Sequence, residues 1–355
     1  MQNGINFQLM AKPPGAACNL RCDYCFYLEK IQLYPQHTAH RKMDDATLEN
    51  YIRQTIAAQH APVVDFIWQG GEPTLAGIDF YRRALELQQR YAQGRQINNF
   101  FQTNGVNLND DWARFFKRHR FLVGLSLDGD SITHDRYRRS RAGKGTFNEV
   151  MAGLACLKRH HVDFNTLTVV NADNVARPKE IYHFLRRAGS RYMQFIPLVE
   201  RRASEPDASG LTLVTPDFKG VCRVAPWSVP ALAYGRFLNA IFDHWAQHDI
   251  GVIFVMNFEQ TLAKLVGQPG ICVQSETSII PYNERTSQGV VFRYREGGKK
   301  MADFPAEWLR GDNPRDKYDG VLPDQYQKEK ADEQVFASFE KTEALIHQML
   351  QQPAR

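Results

Sequence analysis

The sequence predicts an α/β fold made of parallel strand–helix units, and two observations carry the prediction. Six short apolar runs recur through the first two thirds of the chain, and stretches with helical apolar spacing separate them. The strand candidates are Asn6–Ala11, Val63–Trp68, Asn98–Gln102, Phe121–Leu127, Phe164–Val170 and Met193–Ile196. Between them, Asp44–Gln59 opens on acidic residues and puts Leu48, Tyr51, Ile52 and Ile56 on one stripe. Phe80–Ala92, Asp110–Arg118, Thr146–His160 and Pro178–Arg187 show the same pattern. Right-handed crossovers would curl such a sheet. Periodicity alone leaves a doubly wound sheet and a partial barrel equally open.

Further along, Arg201–Thr215 is polar and holds Gly, Pro and Ser, as a loop does. Pro230–His248 is a strong amphipathic helix through Phe237, Ile241, Phe242 and Trp245, and Phe254–Leu265 reads as another. Residues 279–330 turn rich in charge, Gly and Pro, with one strand-like run at Val290–Tyr294 before a final helix at Glu333–Gln351.

At 355 residues the chain is about twice the ~150-residue prior for one domain. With 43% hydrophobic and 23% charged residues it has ordinary globular composition. No apolar run reaches the ~18 residues of a membrane-spanning helix, so no membrane partner is expected. The opening MQNGINFQLMAKPPG lacks a basic segment followed by an apolar one, and a cytoplasmic protein is expected. A net charge of +5 without a Lys/Arg block argues against a nucleic-acid partner.

The six cysteines are unevenly placed: Cys18, Cys22 and Cys25 crowd together, while Cys156, Cys222 and Cys272 stand far apart. A disulfide framework belongs to short secreted chains, so three clustered thiols point to a metal. The C-x3-C-x2-C spacing supplies three thiolates to a [4Fe–4S] cube and leaves one iron open for a ligand. The alternative is a zinc site, for which His37 or His40 would have to supply the fourth ligand.

The segment Ala11–Lys30 resembles the cluster loop of radical S-adenosylmethionine (SAM) enzymes, including Tyr24 just before the last cysteine. Further matches follow in order at predicted strand ends. They are Trp68–Leu75 with Gly70-Gly71-Glu72, Thr103-Asn104-Gly105, Leu125–Gly129 with His134-Asp135 and Arg138 beyond, and Gln194–Glu200. Together they resemble the anaerobic sulfatase-maturating subfamily from about residue 5 to Thr277. The resemblance implies a partial (β/α)6 barrel over residues 1–225 and a helical extension over 226–278, followed by a divergent tail over 279–355. It implies a cluster on Cys18, Cys22 and Cys25, and SAM among Tyr24, Gly70, Gly71, Glu72, Ser126, Asp128, Arg138 and Val199. Arg138 would pair the SAM carboxylate, although it sits in the arginine-rich run Arg136–Arg141, a pattern common on solvated faces. The two glycines would let backbone approach the ligand, so Gly71→Val is expected to block SAM and spare cluster loading. Tyr27 and Gln69 would line the substrate side.

In that family a 5′-deoxyadenosyl radical oxidises a Ser or Cys of an unfolded sulfatase segment to Cα-formylglycine, with electrons from a carrier such as flavodoxin or ferredoxin. The tail departs from the pattern. Cys272 matches the first auxiliary-cluster cysteine, position 278 is Ser, and no cysteine follows. The family's acidic proton acceptor has no counterpart, which suggests a replaced or frame-shifted tail. A relative that binds cluster and SAM without productive oxidation is therefore the second reading, and a zinc-stabilised binding module the third.

Overall fold

The computed structural model describes residues 9–33, 42–208, 210–214, 218 and 220–265, with the backbone of four short strands between 277 and 300. The predicted α/β architecture is present as one parallel sheet in sequence order. Its strands are β1 (Leu9–Ala11), β2 (Val63–Trp68), β3 (Gln96–Thr103), β4 (Leu122–Ser126), β5 (Phe164–Val170) and β6 (Tyr192–Pro197). A seventh strand, Phe254–Val255, pairs in parallel with β6. It occupies the start of a segment expected to be wholly helical, and the helix there runs over Met256–Leu265. The crossover helices are α1 (Asp45–Ala57), α2 (Ile78–Tyr91), α3 (Asp110–Arg118), α4 (Ser131–Tyr137), α5 (Phe147–Arg159), α6 (Pro178–Ala188) and α7 (Ala231–His248).

Strand alternation divides the two faces of the sheet. Val64, Phe66, Trp68, Phe101, Val123, Leu125, Val170, Met193 and Phe195 are buried in one core with the helices. Their alternates, among them Ile67, Gln102, Ser126, Val169 and Gln194, are half-buried on the inner face. An aromatic chain fixes the first half of this core, with Tyr81 edge-on to Trp68 and Phe101, and Phe101 against Phe116 at 4.8 Å. Phe101→Ala would cost about 3–5 kcal/mol by emptying that centre. Asn109 and Asp130 accept from Trp112 N and Thr133 N, capping α3 and α4, each worth roughly 1 kcal/mol.

A further expectation is corrected. Arg201–Thr215 is not all loop, because Arg201–Ala203 pairs antiparallel with Cys222–Val224. Short strands of mixed polarity give no alternation to read. The segment after Asp130 folds as α4, a two-turn helix too short for a periodic signal. The strand expected at Val290–Tyr294 is found as Gly289–Arg293, paired with Tyr282–Thr286. His37, His40, Cys272 and the helix expected over Glu333–Gln351 lie outside the described residues.

Candidate active site

Cys18, Cys22 and Cys25 lie on the loop that leaves β1, across the carboxyl ends of β2 to β4. That loop is pinned from below by backbone bonds. Gln69 N–H donates to Ala11 O, Gly71 N–H to Gly15 O and Glu72 N–H to Ala17 O, each at 2.8 Å. A Cβ at Gly71 would stand 2.0 Å from Ala17 O, so this position admits only glycine because the cluster loop passes directly over it. Gly71→Val therefore strikes the loop itself. The expectation that it would block SAM and spare cluster loading is withdrawn on that geometry.

Glu72 holds the floor together. It is fully buried and accepts from Thr74 N and Oγ1, Thr103 Oγ1 and Asn104 N, all within 3.0 Å. Burial pushes its carboxyl pKa up, while these donors act in the opposite direction. Asn104 completes the floor: its amide nitrogen donates to Asn19 Oδ1 at 2.7 Å and to Cys18 Sγ at 3.7 Å. Leu20 N–H also donates to Cys18 Sγ, at 3.3 Å. Sequence reading placed Thr103-Asn104-Gly105 at a strand end without giving it a task; the structure shows Asn104 reaching the first cysteine.

Donors aimed at a sulfur suit a ligating thiolate. Burial pushes the Cys18 thiol up to about 11 and the Cys22 thiol up to about 12. Among the described residues no group of three or more His, Cys, Asp or Glu is arranged to hold one metal ion. A zinc ion gathers its ligands within about 2.3 Å of a single point. A cube spreads three thiolates over three irons, and the three free cysteines of this loop fit that demand.

Behind the loop, Arg138 and Asp128 form a buried pair. Arg138 Nε donates to Asp128 Oδ2 at 2.8 Å and Nη2 to Oδ1 at 3.2 Å, and Tyr24 OH donates to the same carboxylate. Of the arginine run, Arg138 is thus enclosed, and its guanidinium already has a resident carboxylate. Asp128 likewise receives Val169 N–H, at 3.0 Å. His134 supports this unit with Nδ1 towards Asp128 N and Nε2 towards Thr146 Oγ1, and burial lowers its pKa to about 4.

On the inner face the residues are less committed. Ser126 Oγ accepts from Gln102 Nε2 at 3.1 Å, and Val199 is 54% exposed. Tyr27 and Gln69 come together through Lys12, a residue sequence reading passed over. Lys12 Nζ donates to Gln69 Oε1 at 3.2 Å and lies 4.2 Å from the centre of the Tyr27 ring. Burial, then repulsion from Lys30, lowers its pKa to about 8. Its place directly after β1, on the face opposite the buried Ala11, was the available signal. Next to these residues a cavity of about 240 Å³ opens between Cys22, Tyr24 and Cys25 on one side and Glu200, Arg202 and Trp227 on the other.

Comparison with known proteins agrees with this geometry. Residues 13–185 match the Radical SAM superfamily. The chain is 42% identical over 269 residues to a serine-type anaerobic sulfatase-maturating enzyme of Bacteroides thetaiotaomicron, covering 76% of this chain and 64% of that relative. It is 35% identical over 294 residues to a cysteine-type enzyme of Clostridium novyi, covering 78% and 73%. The chain therefore spans less than two thirds of the length of the serine-type relative. Native anSMEcpe with bound AdoMet and Kp18Cys peptide superposes with a TM-score of 0.63 at 28% identity, over 75% of this chain and 68% of that one. On cysteine loop, strand-end motifs and these likenesses alike, the chain belongs to the radical SAM superfamily and, within it, to the anaerobic sulfatase-maturating enzymes.

Proposed function

We propose that this chain is a radical SAM oxidoreductase that converts a Ser or Cys side chain of a sulfatase segment into formylglycine. The observation that carries the reading is the three-cysteine loop seated on the Glu72–Asn104 floor, with polar inner-face residues beside it. Cys18, Cys22 and Cys25 hold a [4Fe–4S] cluster, and Gly70, Tyr24, Ser126 and Val199 border the SAM pocket, while Gly71 serves the loop that passes over it. Bound together, cluster and SAM supply the one-electron chemistry that removes a hydrogen atom from an unactivated carbon. The protein's share is placement. Asp128 and Arg138 act from behind, fixing Tyr24 so that the loop presents its thiols in one geometry.

Tyr27 and Gln69 meet the substrate backbone, and Lys12 holds the two in register. The Gln69 amide can pair with a peptide group in extended chain, the form an unfolded segment offers. A ring on one side and an amide on the other confine the reacting Cβ. An electron carrier protein of the flavodoxin or ferredoxin type supplies the one electron that starts the reaction and can take back the second electron, which the substrate radical releases together with a proton as it becomes the aldehyde; a cytoplasmic setting suits such a centre. Among the described residues no helix is long and apolar enough to cross a membrane.

The test is anaerobic reconstitution with iron and sulfide, then incubation with SAM, reductant and an 18-residue-scale sulfatase peptide carrying Ser or Cys. The expected result is deoxyadenosine release together with an aldehyde trapped on the peptide by a hydrazide. Deoxyadenosine without aldehyde on either peptide overturns the substrate assignment, and no deoxyadenosine overturns the reaction class.

A further inference from the structure

The arginine run Arg136–Arg141, a pattern common on solvated faces, has a fixed position here. Tyr137 to Ser140 runs alongside the cysteine loop. Arg21 N–H donates to Arg139 O at 2.8 Å, Asp23 N–H to Tyr137 O at 3.2 Å, and Leu20 bridges antiparallel to Ser140. The run then turns back on itself, with Ser140 N–H donating to Lys144 O at 2.8 Å and Lys144 N–H to Ser140 Oγ at 3.1 Å. Arg141 Nε donates to the carbonyl of Cys18 itself, at 2.9 Å.

The result is a rigid basic rim directly beside the thiols. Arg21, Arg141 and Lys144 are exposed, Arg139 is half-buried, and Asp23 is the acidic residue exposed within the same stretch of cysteine loop. Arg136, at the far end, is neutralised by Asp173. A face serving solubility alone would not need its backbone clamped along the cysteine loop.

From this juxtaposition we infer that the Arg21–Arg141–Lys144 rim is the landing face for an acidic one-electron carrier protein. The inference rests on the cluster assignment above and deepens it by naming where the electron enters. In the step, one electron leaves the reduced carrier and enters the centre held by Cys18, Cys22 and Cys25; the carrier is oxidised and no bond is made or broken. Electron transfer needs close approach but not a lasting complex, and weak redox encounters use small interfaces. Charge complementarity supplies what such an encounter needs, a fast and oriented approach rather than tight affinity.

The experiment uses the reconstituted full chain and reduced flavodoxin as the probe. Iron content and reduction by titanium(III) citrate are measured first, so that a failure of the cluster assignment shows itself as absent iron before the rim is tested. Reduction of the cluster by flavodoxin is then followed by stopped flow at low and high salt, and binding by calorimetry to the oxidised protein. Arg21→Glu combined with Lys144→Glu should slow cluster reduction by flavodoxin about tenfold or more at low salt and weaken binding in parallel. Reduction by titanium(III) citrate should stay within about twofold. Arg21→Gln with Lys144→Gln should fall between, and high salt should bring all three proteins together. Equal flavodoxin rates in all three, or a rate insensitive to salt, overturns the inference. So does salt-sensitive retention on duplex DNA with unchanged flavodoxin kinetics, which would mark the rim as a nucleic-acid surface.

Discussion

Beneath Cys18 the loop rests on Glu72, Thr103 and Asn104, whose polar groups satisfy one another with almost nothing left over. On the inner face, Lys12, Tyr27, Gln69 and Ser126 are half-buried and joined by only a few contacts. The floor is a closed network in which every member is spoken for, and such networks fix a single geometry. The inner face, half-buried at Lys12, Gln69 and Ser126, is the side a ligand can reach. A thiolate frame must not move when a ligand binds, whereas a substrate side must admit an extended peptide. One loop therefore sits between a rigid and a receptive surface.

The contrast can be broken most severely at the thiols. Replacing Cys18, Cys22 and Cys25 together with Ala should reduce bound iron from about four atoms per chain to none. Full iron retention, read by colorimetric assay, would sink the cluster assignment. Gly71→Val comes next: because its side chain would collide with Ala17 O, iron loading should drop severalfold while far-UV circular dichroism survives. Normal iron content with only SAM affinity lost would restore the ligand-contact role and weaken the floor.

Acid probes the support behind the loop. His134 is held neutral in the folded chain with a pKa near 4, against about 6.5 when unfolded. Its contribution is complete above about pH 6.5 and is lost as pH falls towards 4, because only the unfolded chain takes up the proton readily. The shift corresponds to roughly 3 kcal/mol. Urea titrations at pH 7.5 and 5.0 should show the loss, and a His134→Gln protein should show a flatter dependence; an equal slope in both would refute the assignment. The smallest effect is expected at Lys12. Lys12→Met should raise the KM for peptide severalfold and leave iron content unchanged, since the lysine braces Tyr27 and Gln69 on the receptive side. Iron loss in that protein would place Lys12 with the floor instead.

The strands were legible because outward positions such as Val64, Phe66 and Trp68 alternate with half-buried ones, and that alternation survives in the sequence. The thiol ligands were legible because three cysteines in eight residues have few other uses. What stayed hidden depends on contacts between distant segments. Nothing in Glu72 says that its carboxylate turns towards Thr103, 31 residues on, rather than towards a ligand. Arg138 in a basic run gives no sign of being the enclosed one, because its partner Asp128 is met only when α4 folds back. Lys12 had only its place after β1 to mark it, and a single lysine beside two prolines gives no hint that it meets Gln69, 57 residues on.

The cysteine loop is fastened on its outer flank by Glu29, which accepts from Thr212 N at 2.8 Å and Leu213 N at 3.1 Å and also from the Thr212 hydroxyl. The two partners are separated by 183 positions. At a synthesis rate of about 5–20 residues per second, that clasp emerges roughly 10–40 s after the loop itself. During translation the start of the loop can be pinned by the β2 end and the Tyr137–Ser140 segment while its outer flank still lacks this clasp, and a nascent chain arrested before Thr212 should remain open to alkylation at Cys25 when the released protein is slow to react. Equal alkylation rates before and after release would show that the clasp has no part in the timing.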